Sequence, residues 1–247
     1  MKKVFKNRRI FELNVVDSTN SYASELPPGM PEGSIVWALN QIKGRGQGDS
    51  RWESEPGKNL TFSIILYPTF LKAVDQFYIS KVISLAIVDL LTLFTDRVSI
   101  KWPNDIYAGD KKIAGILIEN SVEFDNIKQS IAGIGINLNQ KIFASDAPNP
   151  LSLAQITGKE YGLKEMLEKL CALIENRYIL IKDNGFQTID DDYVSVLYRF
   201  NEPAIYLADG KAFKGRIIGV EPSGIIVVRD NDGIIRKFLH KEVEYVR

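Results

Sequence analysis

Four groups of residues have types and spacings that could do chemistry. Lys101 and Lys112 stand at the mouths of two apolar runs within residues 98–119, and Gly115 follows closely after the second lysine. A long cation beside a residue with no side chain suits an anionic ligand lying above a sheet, although each lysine taken alone fits better a strand-end role with its head in solvent. Asp17-Ser18-Thr19-Asn20 is a run of helix-capping residues. Its hydroxyls and the first backbone amides of the helix could hold a carboxylate or an oxo group, or simply cap. Residues 43–52 combine Gly44, Gly46 and Gly48 with Lys43, Arg45 and Arg51 and carry few apolar side chains. Such a segment cannot pack by itself and is expected to stay mobile until an anion draws in its cations, acting as a lid that excludes water. It matches neither the Walker A loop nor the dinucleotide glycine pattern. Finally, Ile131, Gly133, Gly135, Asn137 and Asn139 alternate with Ala132, Ile134, Ile136 and Leu138. One face of that strand has almost no bulk, so ligand or close packing is expected to fill it.

The elements that must position these residues follow from periodicity. Val98, Ile100 and Trp102 share one face of a strand and Ser99 and Lys101 the other, until Pro103 ends it. Asn104-Asp105 and Gly109-Asp110 provide turn chemistry in a polar connection, after which Lys112, Ala114, Ile116 and Ile118 alternate with Ile113, Gly115, Leu117 and Glu119. Upstream, residues 10–16, 34–41 and 59–67 read as strands and 19–26 as a short helix. Asp75 is placed to cap a helix running to about Phe94, with Phe77, Val82, Leu85, Val88 and Leu91 on its apolar face. After the break at Pro148-Asn149-Pro150, helices are expected over 152–156, 163–182 and roughly 186–199. From Pro203 the texture changes to short strands at 204–207, 211–220, 224–229, 234–239 and 243–246, with hairpin signals at Asp209-Gly210 and Asn231-Asp232-Gly233. Five short strands in so little chain imply a small barrel.

Composition narrows the function. The 247 residues suit one large domain or a large and a small one, and the 45% hydrophobic content can build a core. Lys+Arg and Asp+Glu are each 31, which argues against a nucleic-acid or membrane-surface partner, since both call for a basic excess. The basic N-terminus is not followed by an apolar signal region, and no long uncharged apolar run occurs, so a cytoplasmic location is expected. The single cysteine excludes an intramolecular disulfide, and with a single histidine no ordinary structural zinc site is available. Cys171, in an apolar helical pattern, and His240, near the end of the chain, read as structural.

Lys101-Trp102-Pro103-Asn104-Asp105-Ile106-Tyr107, followed by Lys111-Lys112-Ile113-Ala114-Gly115-Ile116-Leu117-Ile118-Glu119, resembles the signature of biotin protein ligases. Asp17-Ser18-Thr19-Asn20, Gly44-Arg45-Gly46 with Trp52, Gly57-Lys58-Asn59-Leu60, and Gly133-Ile134-Gly135-Ile136-Asn137 match in the same order, so the likeness covers nearly the whole chain. It implies an α/β catalytic domain over residues 1–200, built on a mixed, largely antiparallel sheet flanked by helices and akin to the class II aminoacyl-tRNA synthetase core. An SH3-like β-barrel over 201–247 would follow. Because the signature starts at residue 17, no room is left for an N-terminal repressor domain, and a ligase without operator binding is implied. The loop departs from the family pattern, with Gln47, Gly48, Asp49 and Ser50 where many members have Arg, Arg, Gly and Arg. Arg51 is a candidate second guanidinium, and Asp49 either faces away from phosphates or helps hold metal.

The activity implied is ATP-dependent conversion of biotin to biotinyl-5′-adenylate and transfer to a lysine of a biotin carboxyl carrier protein, with acetyl-CoA carboxylase the type of host enzyme. The resemblance assigns Ser18, Thr19, Asn20, Gln41, Gly44, Arg45, Lys112 and Gly115 to biotin, and Arg45, Arg51, Trp52, Asn104, Lys112 and Asn137 to ATP or the adenylate. Lys112 and Arg45 would be catalytic, with Asp105 orienting or deprotonating the incoming amine unless it is only a turn residue. Mg²⁺ is expected with the ATP phosphates and no protein metal ligand is assigned. The assembly would be a monomer or a homodimer. A lipoate or octanoate ligase on the related fold, or a non-catalytic biotin sensor with an impaired loop, are the rival readings.

Overall fold

In the computed structural model, residues 3–48, 50–144 and 149–246 are described. Asp49 and Pro148, both singled out above, lie outside them. The first large unit is a seven-stranded sheet made by β1 (Ile10–Val16), β2 (Ser34–Gln41), β3 (Leu60–Leu66), β4 (Val98–Lys101), β5 (Asp105–Ala108), β6 (Lys111–Glu123) and β7 (Asn126–Ile136), in the order β1-β2-β3-β7-β6-β5-β4. Among the described residues only the β1–β2 pair of this sheet is parallel, so the sheet is mixed and largely antiparallel as expected.

Hydrophobic patterning explains which faces are covered. After the short α1 (Thr19–Glu25), helix α2 (Phe77–Leu91) and, past the short α3 (Leu153–Thr157), helix α4 (Leu163–Lys182) pack together beneath the sheet, and α5 (Phe186–Ser195) packs against both. In α4 the buried Met166, Leu167, Leu170, Cys171, Ile174, Tyr178 and Ile181 recur at the three-to-four spacing of an amphipathic helix. The apolar face expected of α2 is only part of what is covered, because neighbours enclose it from Tyr78 to Leu91 apart from Ser80 and Asp89. Burying each such Ile, Leu or Val contributes about 1.5–3 kcal/mol. Asp75 does not cap α2. It ends a short 3-10 turn, Ala73–Asp75, and Gln76 precedes the helix.

Three boundaries differ from the periodicity reading. The polar connection after Pro103 contains a strand of its own, β5, whose buried Ile106 and Tyr107 give it a reason to pair. The glycine-bearing strand β7 starts at Asn126 and stops at Ile136. The last helix ends at Ser195, and the residues after it run along β4, with Ile100 N donating to Val196 O (2.8 Å) and Tyr198 N to Ile100 O (2.8 Å). The outer edge of β4 is thereby occupied.

The C-terminal strands β8 (Ala204–Ala208), β9 (Lys211–Val220), β10 (Ile226–Asp230), β11 (Ile235–Phe238) and β12 (Glu244–Tyr245) form an antiparallel sheet in the order β11-β10-β9-β8-β12. Among the described residues β11 and β12 do not pair, so the sheet is open rather than a closed barrel. Tyr206, Ile217, Ile226, Val228 and Val243 join the same apolar core as the large sheet, and Trp102 Nε1 donates to Gly224 O at 2.9 Å. This contact brings the 221–224 and 239–241 segments over one end of the large sheet. Among the described residues no helix is long and apolar enough to cross a membrane.

Candidate active site

Lys112 enters the site through an irregularity in strand pairing. In β5 and β6, Ile106 faces Ala114 and Tyr107 faces Lys112, leaving Ile113 as an extra residue. A bulge of this kind re-aims the side chains before it. Strict alternation puts Lys112 with Ala114 and Ile116, whereas here its Cε and Nζ stand 3.3 and 3.4 Å from where a Cβ on Gly115 would be. The period-2 assignment of Lys112 is therefore corrected: it shares the cleft with Gly115. Asn137 N donates to the bulged Ile113 O (2.9 Å), while Lys112 N donates to Asn149 O (2.9 Å) and Leu151 N to Lys112 O (2.8 Å). Lys112 Nζ then pairs with Asp105 Oδ1 at 2.6 Å.

The helix-start signal is real. Ser18 caps α1 (Thr19–Glu25), its hydroxyl facing Ser21 N, and Ser18, Thr19 and Asn20 are all buried. Gln41 Oε1, at the end of β2, accepts from both Thr19 N (2.8 Å) and Thr19 Oγ1 (3.1 Å). Ser63 Oγ, rising from β3, is 2.8 Å from Thr19 Oγ1 and 2.6 Å from Asn20 Oδ1. The amide oxygen can only accept, so the Ser63 hydroxyl donates to Asn20. Asn20 Nδ2 donates to Glu119 Oε2 (2.8 Å), and Arg45 Nη2 donates to Glu119 Oε1 (2.8 Å). A chain of hydrogen bonds thus runs from Ser63 through Asn20 and Glu119 to Arg45, with Gln41 holding Thr19 beside it, and fixes the polar wall of the cleft.

Residues 43–48 and 50–52 shape a small hairpin. Arg45 bridges Arg51, Gly46 N donates to Ser50 O (2.8 Å) and Trp52 N to Gly44 O (3.0 Å). The hairpin folds Trp52 over the glycine strand. A Cβ on Gly135 would overlap the indole, and a Cβ on Gly133 would overlap Asn20 Oδ1. The bare strand face is therefore filled by two side chains of the protein itself. Among the described residues Trp52 Nε1 is buried without a hydrogen-bond partner, so it has a donor to offer an acceptor in the cleft.

These residues enclose a cleft of about 250 Å³ lined by, among others, Ser18, Thr19, Asn20, Gln41, Arg45, Arg51, Trp52, Asn104, Asp105, Lys112 and Gly115. Gly44, Asn137 and Lys101 of the sequence candidates stand apart from its lining. Gly44 lies against the backbone of Trp52 and lets the hairpin close. Asn137 donates from Nδ2 to Leu151 O (3.2 Å), holding the segment that brackets Lys112, and its Oδ1 is buried without a partner among the described residues. Asn104 lines the cleft and also ties β6 down, donating from Nδ2 to Ile116 O at 2.8 Å. Lys101 instead donates to Tyr107 OH (3.0 Å) and lies over the Tyr107 and Tyr245 rings, away from the cleft.

Sequence reasoning missed Thr61, Gln47, Ser50, His240 and Lys241 in the lining, and Ser63 and Glu119 behind it. Glu119 had a signal, a carboxylate closing an apolar run on the Gly115 face. His240 had none, since only the packing of the C-terminal sheet brings it in. Its ring meets Trp102 edge-on at 6.1 Å. Partial burial and the charge of Lys241 hold its pKa below the ordinary value, against the opposing pull of Asp105. Among the described residues no three His, Cys, Asp or Glu side chains gather to hold a metal ion.

A cleft with a hydroxyl- and amide-lined end, a glycine floor and several cations suits a ligand that is part neutral and part anionic. Comparison with known proteins agrees with that chemistry. The Bacillus subtilis bifunctional ligase/repressor BirA is 30% identical over 240 residues, covering 94% of this chain and 72% of its own. The Paracoccus denitrificans biotin–acetyl-CoA-carboxylase ligase is 30% identical over 224 residues, covering 88% of this chain and 92% of its own. The solved structure of the Aquifex aeolicus biotin protein ligase in complex with biotin and ATP superposes with a TM-score of 0.80 at 28% identity, over 97% of this chain and 99% of that one. The model of the biotin/lipoate A/B protein ligase family matches residues 12–137, slightly more than half of the sequence, and with all of the cleft's lining except His240 and Lys241 drawn from that stretch the chain belongs to this family.

Proposed function

We propose that the protein activates biotin with ATP as biotinyl-5′-AMP and transfers the biotinyl group to a lysine of a biotin carboxyl carrier domain, such as that of acetyl-CoA carboxylase. The observation that carries this reading is the convergence of the Ser18–Asn20 helix start, the Gly133/Gly135 strand, Arg45 and the bulge-directed Lys112 on one cleft. Ser18, Thr19, Asn20 and Gln41 would bind biotin beside Gly115. A biotin carboxylate oxygen attacks the α-phosphorus, the bond to the β-phosphate oxygen breaks, and pyrophosphate leaves. Two anions must approach, so fixed cations contribute most to lowering the barrier. Lys112 spans carboxylate and α-phosphate, and Arg45 clamps the adenylate with Arg51 and the Trp52 indole beside it. The carrier amine then attacks the acyl carbon and AMP departs, with Asp105 receiving or orienting the amine proton.

Mg²⁺ accompanies the ATP phosphates in this scheme. Asp105 is the carboxylate of the cleft among the described lining residues, in keeping with a metal carried mainly by the nucleotide. Asn104 and Asn137 are assigned to the nucleotide or its metal, Asn137 through its unpartnered Oδ1. We also assign residues 1–200 to a catalytic domain related to the class II synthetase core and 201–247 to an SH3-like module, in a cytoplasmic monomer or homodimer.

The test is exchange of radiolabelled pyrophosphate into ATP without carrier, with biotin, lipoate and octanoate compared. Exchange with biotin alone supports the reading. Exchange with lipoate or octanoate in its place transfers it to the other branch of the family.

A further inference from the structure

Lys241 lies between β11 and β12 in sequence, yet lines the same cleft as Gln47, Ser50 and Arg51. Its backbone sits at φ +72°, a region where glycine is the ordinary choice and a lysine is disfavoured. Its Nζ stands 2.7 Å from the place a Cβ on Gly48 would take, so the ammonium rests on the hairpin where Gly48 leaves room. Two other cations of the cleft are engaged: Arg45 binds Glu119 at 2.8 Å and Lys112 binds Asp105 at 2.6 Å. A nucleoside triphosphate brings more negative charge than these partly neutralised groups answer, and Lys241 and Arg51 are the further cations of the lining.

We propose that Lys241, reaching in from the C-terminal sheet, binds the β- and γ-phosphates of ATP together with Arg51, and so holds the pyrophosphate leaving group. This rests on the ligase reading of the same cleft. It makes the C-terminal sheet part of the nucleotide site, and it supplies a cation that the Gln47–Ser50 stretch of the hairpin lacks.

The experiment compares wild type, Lys241→Met, Lys241→Arg and Lys241→Gly in biotin-dependent pyrophosphate exchange, with biotin and AMP binding by calorimetry and Tm by calorimetric scan. Lys241→Met is expected to raise the KM for ATP and for pyrophosphate about tenfold, the scale of one charge-assisted phosphate contact, and to leave biotin and AMP affinity within twofold. Lys241→Arg restores both constants. Lys241→Gly repeats the KM rise with an unchanged or higher Tm, separating the lost charge from misfolding. Unchanged ATP and pyrophosphate constants in Lys241→Met and Lys241→Gly overturn the proposal while leaving the ligase reading intact. So does a defect confined to the KM for the carrier in the transfer step, which would assign Lys241 to the carrier's docking surface. Absence of exchange by the wild-type protein overturns the ligase reading and this proposal with it.

Discussion

Lys112 faces Gly115 across a single extra residue, Ile113, with its Cε 3.3 Å from the vacant Cβ position of the glycine. The cation of the cleft is thus aimed by backbone pairing, and its side chain, about a quarter exposed, fills no core volume. Lys112→Ala is expected to keep its Tm within about 2 °C while losing 10²–10³-fold in adenylate formation, the usual loss when one preorganised charge is removed. Normal pyrophosphate exchange by this variant would remove Lys112 from the catalytic assignment.

The bulge itself is held by Asn137, which donates its backbone N–H to Ile113 and its side-chain amide to Leu151. Asn137→Ala should lower kcat for adenylation by roughly tenfold through loosened aim of Lys112, beyond any rise in the KM for ATP from a lost nucleotide contact. A change in KM alone would mean that Asn137 acts on nucleotide only.

Stability should respond asymmetrically at Lys81 and Asp190. Lys81 is 1% exposed and pairs at 2.5 Å with Asp190, which is 30% exposed and also accepts from Tyr78 OH. Asp190→Ala strands a cation among the rings of Phe77, Tyr78 and Tyr193 and should cost about 3 kcal/mol. Lys81→Met leaves a carboxylate that water reaches and should cost about 1 kcal/mol. Urea unfolding of the two variants measures the difference, and equal losses would count against the burial argument.

The organisation of the fold was largely legible because the elements obey their periods. The span of α4 and the placement of β1, β2 and β3 follow directly from apolar spacing, and the bare face of Gly133 and Gly135 announced that something would fill it. What filled it, Trp52 and Asn20, depends on a hairpin and a helix cap distant in sequence. Alternation reversed the face of Lys112 because a bulge leaves no mark in a hydrophobic pattern. His240 and Lys241 were invisible as site residues for another reason: they reach the cleft only through the packing of the second sheet on Trp102 and Gly224.

A pH effect follows at that junction. Burial and the neighbouring Lys241 charge lower the pKa of His240 below its ordinary 6.5, the Asp105 carboxylate opposing them. The folded state then favours neutral imidazole, so the unfolded chain binds the extra proton first. Stability from this group is fully present above about pH 6.5 and declines as pH falls below it. Wild-type Tm should therefore drop more between pH 7 and pH 5 than that of His240→Gln. Parallel curves would show that His240 contributes nothing to the pH dependence.

The Arg45–Glu119 pair bears on fidelity. Arg45 leaves the hairpin backbone and is gripped by both carboxylate oxygens of Glu119, at 2.8 and 3.4 Å, while Glu119 also accepts from Asn20. In the proposed reaction Arg45 holds the adenylate until a carrier arrives, because a mixed anhydride released to water acylates any amine it meets. Arg45→Ala should therefore speed adenylate escape roughly tenfold, a modest figure because the pair is about half exposed. The protein would then biotinylate bystander albumin as well as the carrier domain. Glu119→Gln, which keeps the guanidinium but loosens its aim, should leak less. Avidin blotting of albumin and carrier in one reaction reads both effects, and labelling by Arg45→Ala that stays confined to the carrier would refute the clamp.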